Sequence, residues 1–263
     1  MGGSSCFQLP TAPLSTRDGA PSARNCPFTV TPATVPVSFT GKTITYGTAK
    51  PVPSASVKLF TSPDRVTPVG TATSMADGTY TVQVPAGTAN ELYGEFAATG
   101  FLTLDTYNIR LNLNQGDFTM FNLQYVTSDN IESAGLLVKE IWDPAAMVVA
   151  GTALDCNNMI VEHAAIVAST TPGQRAFAPR ASVYYGVPGA VALAEPPEAR
   201  GDTNDNGAFA LFHVAPSSTL YVQMWGFVDA AALARGEAGL TLVAEEPLHP
   251  VANTAASFNL WTR

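Results

Sequence analysis

At 263 residues the chain has room for two domains of ordinary size. A hydrophobic share of 46% supports real cores and excludes a disordered chain, while charged residues, at 13%, stand at about half the usual share. The net charge of −8 (13 basic, 21 acidic residues) comes with no basic stripe, which argues against nucleic acid, and no apolar run of about 18 residues is present to span a membrane.

Residues 1–34 read as a flexible N-terminal tether, rich in Gly, Ser and Pro. The Gly-Gly-Ser-Ser start resembles the segment that follows the lipidated cysteine of a bacterial lipoprotein. Met1 is therefore expected to replace a removed export signal, with a lipid anchor upstream. Cys6, Cys26 and Cys156 are the only cysteines, so at most one internal disulfide can form. Cys6–Cys26 would staple the tether, Cys26–Cys156 would tie it to the second half of the chain, and all three could stay reduced. Without a Cys-x-x-Cys, neither redox catalysis nor a structural zinc site is expected.

A first domain is expected over 35–126. In Thr79–Val84, Tyr80, Val82 and Val84 alternate with polar residues, as a strand with one buried face requires. Asp77-Gly78 just before it is a tight-turn signal. Leu92, Gly94, Phe96 and Ala98 alternate likewise, and Phe118–Tyr125 is the expected closing strand. Residues 127–146 form a linker whose Ile131–Trp142 stretch suits a short helix or an added strand. A second domain follows over 147–263, beginning with Met147-Val148-Val149 and carrying insertions at 170–200 and 228–240. The latter holds a short helix, with Asp229 as N-cap and Gly236 as the stop.

The two domains follow one script, about 110 residues apart. Gly41, Val52, Ala55, Val57, Asp77–Tyr80, Val84-Pro85, Gly100-Phe101 and Phe121-Asn122-Leu123 recur in order. Their partners are Gly151, Val161, Ala164, Ile166, Asn206–Phe209, Val214–Pro216, Gly226-Phe227 and Phe258-Asn259-Leu260. This order resembles the carboxypeptidase regulatory-like family, whose members are transthyretin-like (prealbumin-like) β-sandwiches. The resemblance implies an all-β chain of two tandem antiparallel Greek-key β-sandwiches, with one short helix in the second. It further implies secreted or envelope-attached proteins, often lipoproteins, in accessory rather than catalytic roles.

No catalytic constellation stands out, and no cofactor is expected. His163, His213 and His249 lack the neighbours a zinc carboxypeptidase needs, and no close His pair exists. An enzyme would have to join His163 or His213 to carboxylates in a deep polar cleft by the 170–200 insertion. Asp202, Asn204 and Asn206 with Gly207 read like the first half of a calcium loop, but position twelve is His213 rather than Glu. A plain hairpin turn also explains them. Arg200-Gly201-Asp202 spells an adhesion tripeptide. Lys42 or Lys58 with Asn122 and Glu95 could form a Lys–Asn crosslink. Yet Asn259 recurs in the second copy, where no lysine follows Lys139, so the Asn is expected to cap a backbone group.

In Leu220–Trp225, alternation turns Leu220, Val222 and Met224 inward and Tyr221 and Trp225 outward with Gln223. Outward rings can stack on sugars or anchor a protein, unless the 170–200 insertion or the other domain covers them. The expectation is a non-catalytic structural or binding protein of the bacterial envelope or extracellular space, with an unknown protein or glycan partner. A carbohydrate-binding module using Tyr221 and Trp225 is the alternative.

Overall fold

The computed structural model describes residues 7–24, 29–137, 139–186, 193–195, 201–217 and 219–262. Regular structure among them is mostly strand, with two short α-helices, as the all-β reading expects. The chain divides into two compact units. The N-terminal unit is Thr29–Ile131 with Asn253–Ser257; the C-terminal unit is Met1–Phe28, Glu132–Ala252 and Phe258–Arg263.

Strand β1 (Ser15–Thr16) belongs to the C-terminal unit. The N-terminal unit follows with β2 (Val37–Thr45), β3 (Ser56–Phe60), β4 (Gly70–Thr73), β5 (Thr79–Val84), β6 (Glu91–Ala97), β7 (Thr103–Arg110) and β8 (Leu123–Tyr125). Strands β4-β3-β6-β7 form one antiparallel layer and β5-β2-β8 the other. Pairing is antiparallel except between β2 and β8, which run parallel. Alternation along β5 buries Tyr80, Val82 and Val84 against Phe39, Val57, Leu59, Leu92, Phe96 and Tyr125. Each fully buried side chain of this kind contributes about 1.5–3 kcal/mol.

The expected closing strand is shorter than 118–125. Phe118 makes an isolated parallel bridge to Phe39, then Met120 takes a left-handed backbone and Asn122 N–H turns back to Met120 O, so the continuous strand starts at Leu123. The Phe118 ring also stacks on Phe39, at 4.8 Å between ring centres. On the other layer, the β3–β4 connection carries Arg65 over β7. Its guanidinium forms a buried ion pair with Asp105 and lies 5.2 Å from the Tyr107 ring centre. Burial lifts the Asp105 carboxyl above its ordinary range, and Arg65 offsets only part of that rise.

The linker resolves as helix α1 (Ser128–Leu137), not a strand. Thr127 and Asn130 hydrogen-bond each other's backbone N–H at its start, which fixes where it begins.

The C-terminal unit contains β9 (Met147–Leu154), β10 (Val161–Glu162), β11 (Ala165–Ser169), β12 (Ser182–Gly186), β13 (Leu193–Glu195), β14 (Ala208–Val214), β15 (Leu220–Phe227), α2 (Ala230–Ala234), β16 (Leu240–Leu248) and β17 (Thr254–Trp261), the last from Phe258 on. Strands β13-β12-β14-β9 line up in one sheet and β11-β15-β16 in another. Helix α2 forms as expected: Asp229 accepts from Ala232 N–H at 2.7 Å, and Gly236 takes a left-handed backbone.

The tether expectation is corrected for residues 7–24, which form an ordered strap on the C-terminal unit. β1 pairs with β10, Leu14 N–H donates to Phe227 O at 2.8 Å, and the Leu14 side chain is buried. Phe7 adds a ring contact with Phe177, and Arg24 donates to Val228 O. Cys156 is disulfide-bonded, which rules out a Cys6–Cys26 staple and a fully reduced chain. Its partner must be Cys6 or Cys26, both of which lie outside the described residues.

Corresponding positions behave alike within each unit. Gly41 pairs with Tyr80 and Gly151 with Phe209. A Cβ on Gly41 would lie 2.1 Å from Phe121 O, and one on Gly151 would lie 2.7 Å from Phe258 O. Gly78 and Gly207 both adopt positive φ, and their carbonyls accept from Thr43 and Ala153 N–H, each at 2.9 Å.

Candidate functional site

The outward face of β15 was the strongest binding candidate. Leu220, Val222 and Met224 are buried, and Tyr221 and Trp225 are half-buried on the opposite face. Gln223 lies between them and is fully buried, because the start of the 170–200 insertion folds over it. Its Nε2 donates to Thr171 O at 3.2 Å and to Glu245 Oε2 at 2.7 Å, and its Oε1 accepts from Trp225 Nε1 at 2.9 Å. Glu245 Oε2 also accepts from Gly173 N–H at 2.6 Å, pinning the loop to β16. Arg175 completes the cover. Its guanidinium lies 5.4 Å from the Trp225 ring centre and 4.8 Å from that of Phe7, and it pairs with Glu237 at 2.8 Å. Trp225 thus has a cation on its ring, while Tyr221 sits in register between Ser169 and Pro247. Arg175 and Glu245 escaped the sequence reading because nothing in their spacing ties them to β15.

Two of the three calcium candidates, Asn204 and Asn206, are held in turn hydrogen bonds. Asn204 Oδ1 accepts from Asn206 N–H at 3.0 Å, and its Nδ2 donates to Gly186 O. Asn206 Oδ1 accepts from Ala208 N–H at 2.9 Å. Asp202 is buried; its Oδ2 accepts from Thr11 N–H at 3.2 Å and lies 3.5 Å from His163 Nδ1. The hairpin turn engages the Asn204 and Asn206 side-chain oxygens, while Asp202 meets Thr11 and His163 from elsewhere in the chain. Among the described residues no group of three or more His, Cys, Asp or Glu side chains converges as metal ligands would. The buried Asp202 carboxylate is also a poor adhesion signal; Arg200 lies outside the described residues.

Both histidines named for an enzyme meet carboxylates. His213 Nε2 lies 2.9 Å from Glu140 Oε2, and Tyr184 donates its hydroxyl to Glu140 Oε1. Glu140 comes from the segment after α1, 73 residues before His213, so sequence offered no link between them. Among the described residues a recess lies beside the insertion. It is shallow and lined by Phe7, Ile166, Ala168, Phe177, Val183 and Tyr185, with little polar surface. In the N-terminal unit, Asn122 Oδ1 accepts from Lys42 N–H at 2.9 Å, the backbone cap expected of it. Lys58 pairs with Glu95 at 2.6 Å.

No family model matches the chain, and no curated protein matches it. Among solved structures it is similar to the shaft pilin SpaA of Lactobacillus rhamnosus GG, at 11% identity and a TM-score of 0.24, over 89% of this chain and 98% of that one. It is also similar to a variant of BcpA, the major pilin subunit of Bacillus cereus, at 12% identity and a TM-score of 0.24, over 86% of this chain and 69% of that one. A variant of the major pilin of Streptococcus pyogenes matches at 8% identity and a TM-score of 0.21, over 87% and 99%.

Proposed function

We propose that the chain is a non-catalytic structural or binding protein of the cell envelope or extracellular space. The observation that carries this reading is how its polar side chains are engaged. Asn204 and Asn206 close a turn, Asp202 accepts from Thr11, Gln223 and Glu245 hold a loop, and Glu140 joins β12 to β14. Asp202, Gln223 and Glu140 each bridge separate stretches of the chain, the engagement that a fold-supporting contact provides. The disulfide at Cys156 supports an oxidising compartment.

The two units are read as tandem copies of one transthyretin-like sandwich. The parallel roles of Gly41 and Gly151, and of Gly78 and Gly207, support this. The likeness to carboxypeptidase regulatory-like domains and a lipid anchor upstream of Met1 belong to the same reading. Protease shaving of intact native cells tests it. Cleavage of the chain with the membrane still sealed is the expected result; full protection and reduced cysteines would overturn it.

A carbohydrate-binding module is the second reading, favoured by the half-exposed Tyr221 and Trp225 rings. Arg175 over Trp225 competes with a sugar for that ring. A titration with soluble oligosaccharides, followed by Trp fluorescence in wild type and Trp225→Ala, separates the two. Quenching lost in the variant supports sugar binding, and no quenching removes it.

A further inference from the structure

Residues 29–36, Thr-Val-Thr-Pro-Ala-Thr-Val-Pro, run along the N-terminal unit ahead of β2 without forming a strand. Ala33 alone is buried, and it joins the core that contains Val37, Val84 and Leu113. The others are exposed, Val30 and Val35 at 56% each. A segment seated by hydrophobic burial would turn those valines inward. The main chain is held instead. Asn90 Oδ1 accepts from Thr31 N–H at 2.9 Å, and its Nδ2 donates to Thr29 O at 3.4 Å. Asn114 repeats the grip three residues on. Its Oδ1 accepts from Thr34 N–H and from the Thr34 hydroxyl, each at 2.8 Å, and its Nδ2 donates to Pro32 O at 3.2 Å. Between the two, Ala33 N–H donates to Thr88 O at 2.8 Å and Ala33 O accepts from Gly87 N–H at 2.7 Å.

Backbone bonds set both amides in place. Asn90 comes just before β6, where its carbonyl accepts from Leu111 N–H at 3.0 Å. Asn114 lies in a short 3₁₀ turn (Leu113–Gln115) that the Asn112 side chain caps. A side-chain amide carries an acceptor and donors side by side, the complement of a peptide's own N–H and C=O. Two such amides at a three-residue interval fit an extended backbone that repeats every three residues, as polyproline II does.

We propose that Asn90, Asn114 and the Gly87-Thr88 turn form a binding site for an extended peptide, and that residues 29–34 are the ligand it holds in cis. The contacts define what else fits. Main-chain N–H groups are required at the places of Thr31, Ala33 and Thr34, so proline is excluded there and accepted at the place of Pro32. The residue at the place of Ala33 must be small, because it enters the core. Every group that grips the main chain is a neutral amide or carbonyl, so the site reads no charge. An occupant in trans is therefore an extended, uncharged stretch of another polypeptide, which takes these bonds over from residues 29–34. The site rests on the binding half of the reading above and gives it a ligand class. Purified protein tests it, so a negative result leaves the shaving experiment standing.

The test uses the full chain carrying Ala33→Glu, which expels the cis segment because a carboxylate is costly to bury. The probe is a dye-labelled peptide with the sequence of residues 29–36, followed by fluorescence anisotropy. Saturable binding is expected, changed less than about twofold between low and high salt. Wild type is expected to bind at least about tenfold more weakly, because its own segment competes. Adding Asn90→Ala and Asn114→Ala is expected to weaken binding at least about tenfold. No binding by Ala33→Glu, with amide exchange in β2 and β5 as in wild type, overturns the site. So does binding that survives loss of both asparagines, or equal binding by wild type, which would place the peptide elsewhere. If Ala33→Glu does not fold, Thr31→Pro with Thr34→Pro replaces it. That pair removes two donors in cis at exposed positions, and the same outcomes decide.

Discussion

His213 and Glu140 are joined across β14 and the segment after α1 by a 2.9 Å contact, with Tyr184 on the other carboxylate oxygen. Burial alone would raise the Glu140 carboxyl. The hydrogen bonds from Tyr184 and His213 and the charge on His213 outweigh it, and hold Glu140 below its ordinary 4.5. A depressed folded-state value means stability that is present above 4.5 and lost as the pH falls through the lower folded value. Urea melts across that acid range are expected to show wild type losing more stability than Glu140→Gln, in which the titrating group is gone. Equal acid slopes would assign the loss to other carboxylates.

Gly41→Ala and Gly151→Ala are each expected to cost about 2–4 kcal/mol, since the new Cβ meets a backbone carbonyl at both sites and, at Gly151, the Phe209 ring as well. Gly87→Ala serves as the comparison. Its φ is +87° with nothing within 4 Å, so only backbone strain of about 1–2 kcal/mol is expected. Equal losses at Gly87 and Gly41 in denaturant melts would remove steric approach as the cause.

Removing one member of the Arg65–Asp105 pair leaves a buried charge alone. Arg65→Met is expected to destabilise by about 3–5 kcal/mol, and the double variant Arg65→Met with Asp105→Leu to recover most of it. A double-mutant cycle measures this. A double variant as unstable as Arg65→Met would show that the guanidinium acts through its packing on Tyr107.

Calcium is expected to leave the melting temperature unchanged, because the oxygens of Asn204 and Asn206 already serve the turn. Asn204→Ala is expected to cost about 1–3 kcal/mol, from the loss of two buried hydrogen bonds. A calcium-dependent rise in thermal scans that is absent from Asn204→Ala would restore the metal reading.

What sequence made legible was local. Alternation placed Tyr80, Val82 and Val84 in one core and Leu220, Val222 and Met224 in the other, because a pleated strand turns every second side chain to one face. Asp229 and Gly236 bounded α2 through hydrogen-bond and φ requirements that are also local. The contacts around the site are not. Arg175 reaches Trp225, Glu140 reaches His213 and Thr11 reaches Asp202 across long stretches of chain, and no short-range pattern encodes them. The strap was hidden for the same reason. A single buried leucine among Pro, Ser and Thr looks like linker until the vacant spot over Gly226 is seen.

The seating of Ala23 on Thr262 spans 239 residues. A ribosome adding about 5–20 residues per second needs roughly 10–50 s between making one and making the other. For that interval Ala23 O has no Thr262 hydroxyl to meet, although Val161 and Glu162, the partners of Thr16 and Ser15, are already made. The N-terminal unit likewise waits for Asn253–Ser257. Both units are therefore completed by residues that follow Ala252, and a nascent chain halted before Thr262 would carry the strap seated at its middle and loose at Ala23.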